Sequence, residues 1–167
     1  MIGAPAQEAE IITQALALRD DPVGFVHWAY PWGRPGTVLE HLKGPRKWQM
    51  EDLVALADHT QEQAFRHSQG LPLKMWKEAR ASGRGPGKSA KFGMCAHWHM
   101  STHLGSTTIV AANTESQLRT RTFPEYANWF GCAINAHWWS LETMRVVPAP
   151  WLLELVKKIP EEGGLGI

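Results

Sequence analysis

Residues 82–89 read Ser-Gly-Arg-Gly-Pro-Gly-Lys-Ser, and this stretch restricts the fold more than any other part of the sequence. Its three glycines permit backbone conformations and close approaches that side chains would obstruct. The residues after Lys88 read as a helix, and the start of a helix presents unpaired N–H groups and a positive dipole end. Converging N–H groups ahead of a helix bind anions such as phosphate. The sequence therefore predicts a phosphate-binding loop that leads into a helix.

Predicted helices and strands alternate around this loop. Apolar residues at helical spacing predict a helix at 7–19, and Pro45 marks the first turn of a second helix. Between them, residues 20–37 are rich in proline, glycine and aromatic residues, so we expect an ordered loop there. The remaining predicted elements are strands at 73–81, 107–112 and 144–147, and helices after Lys88, from about Glu115 (with a Thr114/Gln117 capping box and a kink at Pro124) and over 150–158.

This order of elements predicts an α/β fold. Strands that alternate with helices along a chain form mostly parallel sheets. We therefore expect the core of a P-loop NTPase with a mostly parallel sheet over residues 73–167. A helical and aromatic-loop lead-in over residues 1–72 would precede it.

Bulk composition excludes some classes of protein and leaves others open. The 167 residues suffice for one domain, and 44% hydrophobic residues support a real core. The 17 basic and 16 acidic residues nearly balance, so charge neither favours nor excludes a nucleic-acid partner. Cys95 and Cys132 lack a CxxC spacing, which favours a reducing compartment. The sequence has neither a long apolar run nor a signal layout, so we expect a cytoplasmic protein without a membrane segment.

The loop matches the pattern G-x-x-x-x-G-K-[ST], except that Ser82 replaces the first glycine. In that pattern the lysine, here Lys88, reaches the terminal phosphates of a nucleoside triphosphate such as ATP, and the hydroxyl of Ser89 ligates its Mg²⁺. The alternative is a glycine-rich turn that only resembles a phosphate loop. The predicted phosphate site comprises Ser82, Gly83, Arg84, Gly85, Pro86, Gly87, Lys88 and Ser89.

The combination of this loop with its surroundings resembles one family. Residues 81–103 (ASGRGPGKSAKFGMCAHWHMSTH) and 107–130 (TTIVAANTESQLRTRTFPEYANWF) are similar to the ATPase domain of the large terminase subunit of tailed bacteriophages. Residues 21–53 are similar to the lead-in of these subunits. The resemblance covers roughly residues 20–147, and the combination is more specific than the loop alone.

The resemblance implies a subunit of a motor that hydrolyses ATP to drive double-stranded DNA into a procapsid in the infected host cell. It implies that Gln49 contacts adenine, that Gly83–Gly87 wrap the phosphates and that Lys88 neutralises them. Arg84 would sense or stabilise the γ-phosphate, because charge on the transferred phosphoryl group needs a fixed donor; the alternative is a solvated loop arginine. The implied partners are viral DNA, the portal, the small terminase subunit and further copies of the complete subunit.

One part of the family pattern is missing from this sequence. An ATPase of this class carries an acidic pair at the end of an apolar strand, which binds Mg²⁺ and activates water. No aspartate follows Asp58, and the later glutamates do not follow apolar strand runs. We therefore expect a truncated ATPase domain, without the acidic strand and the nuclease domain. The alternative is a non-catalytic nucleotide-binding or assembly module that a second chain completes.

Overall fold

Helices form most of the regular structure in the computed structural model, which describes residues 5–81, 83 and 85–156. A π-helical turn, Leu118–Thr122, joins two of these helices, and a 3₁₀ turn, Ala136–Trp138, precedes the sheet. The helices are α1 (Pro5–Ala17), α2 (Pro22–Ala29), α3 (Lys47–Ser68), α4 (Lys88–Thr102), α5 (Glu115–Gln117), α6 (Phe123–Gly131) and α7 (Pro150–Val156).

The predicted α/β fold with a mostly parallel sheet is wrong. Within the described residues, the sheet is a two-stranded antiparallel hairpin of β1 (Trp139–Glu142) and β2 (Arg145–Pro148). The strand expected at 144–147 is therefore confirmed as β2, but its partner is the segment immediately before it. Met144, with φ of 56°, turns the chain between the two strands. A tight turn of this kind pairs neighbouring strands antiparallel, which a crossover connection would not do.

The strand expected at 73–81 is absent: this segment has no regular secondary structure and pairs with no strand among the described residues. It runs back along α3 instead. The N–H of Lys74 donates to Gln63 Oε1 (2.5 Å), and Arg80 forms an ion pair with Asp52 further towards the start of α3. Side chains of a helix thus occupy the place that a neighbouring strand would take in a sheet.

The segment expected to form a strand at 107–112 also makes no strand pairing in the described part of the chain. Its side chains alternate between exposed and half-buried positions, as a strand's would, and Ile109 is 89% exposed. β-branched residues favour extended backbone, but a sheet needs a second extended segment alongside. The predicted strand at 107–112 is therefore wrong, although the alternation of exposed and half-buried residues fits the pattern on which the prediction was based.

Residues 20–37 contain a helix, α2, where we expected only a loop. Asp21 accepts a hydrogen bond from the N–H of Gly24 at 2.8 Å, and Pro22 occupies the first turn. Both are helix-start signals that the high proline and glycine content obscured. Residues 30–37 are irregular, as expected, and the irregular segment continues to residue 46. Pro45 therefore does not lie in the first turn of a helix as predicted, because α3 begins at Lys47 with Arg46 as its N-cap.

The main core joins α2, α3 and α4. Its buried residues are Phe25, Val26, Ala29, Tyr30, Leu39, Leu53, Leu56, Met94, Trp98 and Ala133. A smaller cluster of Ala15, Trp138 and Leu152 joins α1 to α7. The main core therefore combines residues from both sides of position 72 and holds α3 beside α4. None of the helices in the described ranges is long and apolar enough to cross a membrane.

Candidate phosphate-binding site

The end of the glycine loop has the backbone conformation that requires glycine. Gly85 and Gly87 have φ values of 86° and 88°, in the left-handed region that other residues adopt at a cost. Gly87 is also the residue that caps the start of α4. A Cβ atom at this position would lie 2.9 Å from Gln49 Nε2, whereas one at Gly85 would meet open space. Position 87 therefore requires glycine for two independent reasons.

Side chains from the start of α3 hold this loop from one side. Each of three side chains donates a hydrogen bond to one of three consecutive loop carbonyls. The bonds run from Arg46 Nη1 to Gly85 O (3.1 Å), from Trp48 Nε1 to Pro86 O (3.0 Å) and from Gln49 Nε2 to Gly87 O (2.8 Å). The loop carbonyls thus face α3.

The orientation of these carbonyls determines where the loop N–H groups point. In a planar trans peptide, each carbonyl and the following N–H point in opposite directions. Because the carbonyls of Pro86 and Gly87 face α3, the N–H groups of Gly87 and Lys88 face away from it. The first intrahelical bond of α4 runs from Lys91 N to Gly87 O at 3.1 Å, so the end of the loop lies at the start of the helix, where the helix dipole is positive. This arrangement suits an anion.

The structure brings Gly83, Gly85, Pro86, Gly87, Lys88 and Ser89 together at the start of α4. The half-buried Lys88 donates from Nζ to the carbonyl of Gly83 at 3.0 Å, so its ammonium group lies over the loop. Ser89 is exposed. Ser82 and Arg84 lie outside the described residues.

Gln49 is buried, with 4% of its surface exposed. Its Nε2 donates to Gly87 O, and its Oε1 accepts from the N–H of Arg46 at 2.8 Å. Both ends of the side-chain amide are therefore bonded to backbone groups, one in the loop and one at the start of its own helix. The structure places Gln49 beside the predicted loop, as a support for it.

A cluster of charged residues lies one turn further along α4, and sequence reasoning missed it. Lys91, only 2% exposed, forms ion pairs with Glu78 and with Asp52 (3.7 Å), and Asp52 also pairs with Arg80. The guanidinium group of Arg80 lies 5.4 Å from the centre of the Trp48 ring. The cluster joins α3, the extended segment before the loop and α4. Its one sequence signal is that Glu78 and Arg80 are two residues apart, on one side of an extended segment.

The residues present fit Mg²⁺ only in part. The exposed hydroxyl of Ser89 can ligate a cation that phosphate oxygens and water also hold, which is a common arrangement for Mg²⁺. The carboxylates of Asp52 and Glu78 are paired with Lys91. Across residues 5–81, 83 and 85–156, no group of three or more His, Cys, Asp or Glu side chains is placed to hold a metal ion. Mg²⁺ would therefore come to this loop with the phosphates.

A second concave region, with a volume of about 490 Å³, lies between α4, α6, β2 and residues 106–110. Its wall is mostly apolar, and burial raises the pKa of the Tyr126 hydroxyl there to about 12. The tyrosine therefore stays neutral. The region offers apolar contact rather than charge, and it borders the unpaired segment that carries Ile109.

Comparisons with protein-family models, curated proteins and solved structures gave no match to this chain.

Proposed function

We propose that this protein binds ATP with Mg²⁺ through residues 82–89. The observation that carries the proposal is the glycine loop itself: α3 holds its carbonyls from one side, while its N–H groups, the start of α4 and Lys88 lie together. Backbone N–H groups, a helix start and one ammonium group are the elements that bind a phosphate tail. The proposal does not depend on the parallel sheet, which the fold lacks.

The wider role that we propose is in a viral DNA-packaging motor, as part of a large terminase subunit. This rests on the resemblance of residues 20–147. ATP hydrolysis, movement of double-stranded DNA, and contacts with the portal, the small terminase subunit and further copies of the chain belong to that proposal. To residues 82–89 we assign only the binding and orientation of a triphosphate, and no step of its hydrolysis. The place of Arg84 near the γ-phosphate remains a proposal taken from the same resemblance. The resemblance also implies that Gln49 contacts adenine, but we do not adopt that role, because the side chain is buried and bonded to backbone groups at both ends.

Replacing Lys88 with alanine should weaken the binding of a fluorescent ATP analogue. The ammonium group supplies a charge-assisted hydrogen bond to phosphate, and losing one such bond costs about 1.5–3 kcal/mol, or roughly 10- to 150-fold in Kd. A fluorescence titration in the presence of Mg²⁺ measures the change.

Lys77→Ala is the matched control, because Lys77 is an exposed lysine on the extended segment before the loop. It should leave the affinity within about twofold of the wild type, as expected for a surface charge that makes no specific contact with the ligand. Equal affinity of the wild type and Lys88→Ala would remove Lys88 from the site.

The second candidate function is that of an assembly module that a second chain completes. The observation in its favour is segment 107–112, which pairs with no strand among the residues that the structure describes and carries Ile109, 89% exposed, beside the apolar concave region. Extended edges with apolar side chains are templates for pairing with another chain.

For this candidate, light scattering during size-exclusion chromatography should show a mass that rises with protein concentration. Ile109→Lys should return the mass to that of a monomer, because a charge on an edge strand opposes pairing. A wild-type mass that stays monomeric at all concentrations would remove self-assembly through this edge.

A further inference from the structure

We propose that Trp48 and Gln49 are positioning residues that hold the glycine loop by its carbonyls, and that the site therefore selects a triphosphate tail rather than a particular base. The inference rests on the proposed function of the loop. It differs from the role in adenine recognition that the resemblance implies for Gln49.

The first step concerns the loop backbone. Gly85 and Gly87 give the loop conformational freedom, which a ligand would have to remove on binding. The hydrogen bonds from Trp48 to Pro86 O and from Gln49 to Gly87 O remove part of that freedom in advance. A loop held in this way presents its N–H groups at a lower ordering cost.

The second step concerns the base. A side-chain amide reads a base with its carbonyl oxygen and its N–H groups. In Gln49, Oε1 already accepts from the N–H of Arg46, Nε2 already donates to Gly87 O, and the side chain is buried. Strong discrimination needs polar groups of the site that are paired by one ligand and left unpaired by another. Because Gln49 is buried and each end of its amide already has a backbone partner, it is poorly placed to present such a group to a ligand.

The third step concerns stacking. The half-buried ring of Trp48 is the aromatic surface next to the loop carbonyl that it binds, and Arg80 lies 5.4 Å from the ring centre. A base that stacked on the face of the ring covered by Arg80 would have to displace Arg80, which also forms an ion pair with Asp52. Recognition is therefore left to the phosphates, which every nucleoside triphosphate and inorganic tripolyphosphate share.

Isothermal titration of the full chain with MgATP, MgGTP and Mg-tripolyphosphate tests the inference. We expect the three dissociation constants of the wild type to agree within about threefold. Trp48→Phe keeps the ring and removes the N–H donor, so it should weaken all three by about fivefold, the usual effect of one neutral hydrogen bond. Trp76→Phe, the same change at a ring that packs on His59, should weaken none of them.

Gln49→Glu supplies a second variant, because it keeps the acceptor for Arg46 and removes the donor to Gly87 O. It should weaken all three ligands in parallel. MgATP bound more than tenfold tighter than the other two, or a loss confined to MgATP in Gln49→Glu, would overturn the inference in favour of base recognition. Equal affinities in Trp48→Phe and the wild type would overturn the role of Trp48.

A measurement without ligand separates this inference from the proposed function. Backbone ¹⁵N relaxation of the free protein should show lower order parameters at Gly85 and Gly87 in Trp48→Phe than in the wild type or Trp76→Phe. If the wild type bound none of the three ligands, the proposed function would fail, and these order parameters would still decide whether Trp48 holds the loop. Unchanged order parameters would overturn that role.

Discussion

Lys91→Met should lower the free energy of unfolding by about 3–5 kcal/mol, the usual cost of removing one partner from a buried ion pair. The Lys91 side chain is 3% exposed and lies between the carboxylates of Glu78 and Asp52. Without it, Asp52 keeps its ion pair with Arg80, whereas Glu78 loses its ion pair, and both carboxylates remain largely buried. A loss of this size is a large share of the stability of an ordinary domain. Urea denaturation followed by circular dichroism measures it.

Two further variants separate the lost charge from the lost side chain. Lys77→Met makes the same substitution at an exposed position and should change the stability by less than about 0.5 kcal/mol. Adding Asp52→Asn and Glu78→Gln to Lys91→Met removes both carboxylates, so more than half of the lost stability should return. Arg80, whose side chain is 38% exposed, can then be hydrated. A triple variant as unstable as Lys91→Met would show that the cluster does not stabilise the fold through its charges.

The protein should lose stability as the pH falls below about 6.5, with His97 as a principal cause. Burial lowers the pKa of His97 to about 3. The unfolded chain therefore takes up a proton on this imidazole near pH 6.5, whereas the folded chain resists it until about pH 3. The stabilisation is complete above pH 6.5 and is lost at about 1.4 kcal/mol per pH unit, roughly 3 kcal/mol by pH 4.5.

The structure explains why His97 stays neutral. The ring is fully buried among aromatic side chains, and its Nδ1 lies 2.9 Å from the hydroxyl of Tyr30. Burial raises the pKa of Tyr30 well above its usual value, so this hydroxyl stays neutral and forms a hydrogen bond with the neutral ring. Burial also lowers the pKa values of His99 and His103, and both act in the same direction as His97.

His97→Asn tests this assignment through the slope of stability against pH. The variant should be less stable than the wild type at pH 7.5, but its stability should fall less steeply between pH 6.5 and 4.5. His67→Asn changes an exposed histidine on the last turn of α3 and should keep the wild-type slope. An unchanged slope in His97→Asn would assign the acid sensitivity to other groups.

Features set by neighbouring residues were the ones that the sequence allowed us to predict. The helix after Lys88 and the cap of Thr114 on the N–H of Gln117 (3.1 Å) follow from local signals and are confirmed. We expected Pro124 to kink a helix. It lies instead in the first turn of α6, directly after a π-helical turn. There the missing N–H of proline costs little.

Strand pairing was not predictable in the same way. Residues 73–81 and 107–112 both contain residues that favour extended backbone, but neither segment forms a strand. The sequence does not indicate which element each segment packs against. Segment 73–81 lies along α3, and segment 107–112 pairs with no strand among the described residues. Pairing depends on which segments meet in space, whereas extension depends on side-chain shape. The α/β fold that we predicted from alternating helices and strands is wrong for this reason: the predicted strands do not pair with one another.

The candidate site likewise contains residues that could be predicted from the sequence and residues that could not. The glycine positions of the loop and Lys88 could be read from spacing, because they are consecutive in sequence. The hydrogen bond from Trp48 to Pro86 O joins residues 38 positions apart. The ion pair between Lys91 and Asp52 joins α4 to α3. Contacts of this range depend on how α3 packs against α4, which no local pattern contains. The parts of the site that hold the loop were therefore found only in the structure.

The most direct test of phosphate binding follows backbone amide signals of ¹⁵N-labelled protein by NMR while MgATP is added. We predict that the largest changes occur at Gly85, Gly87, Lys88 and Ser89, with a much smaller response in Lys88→Ala. Loop signals that stay unchanged at saturating MgATP, or changes confined to the apolar region beside Ile109, would contradict a triphosphate held by this loop.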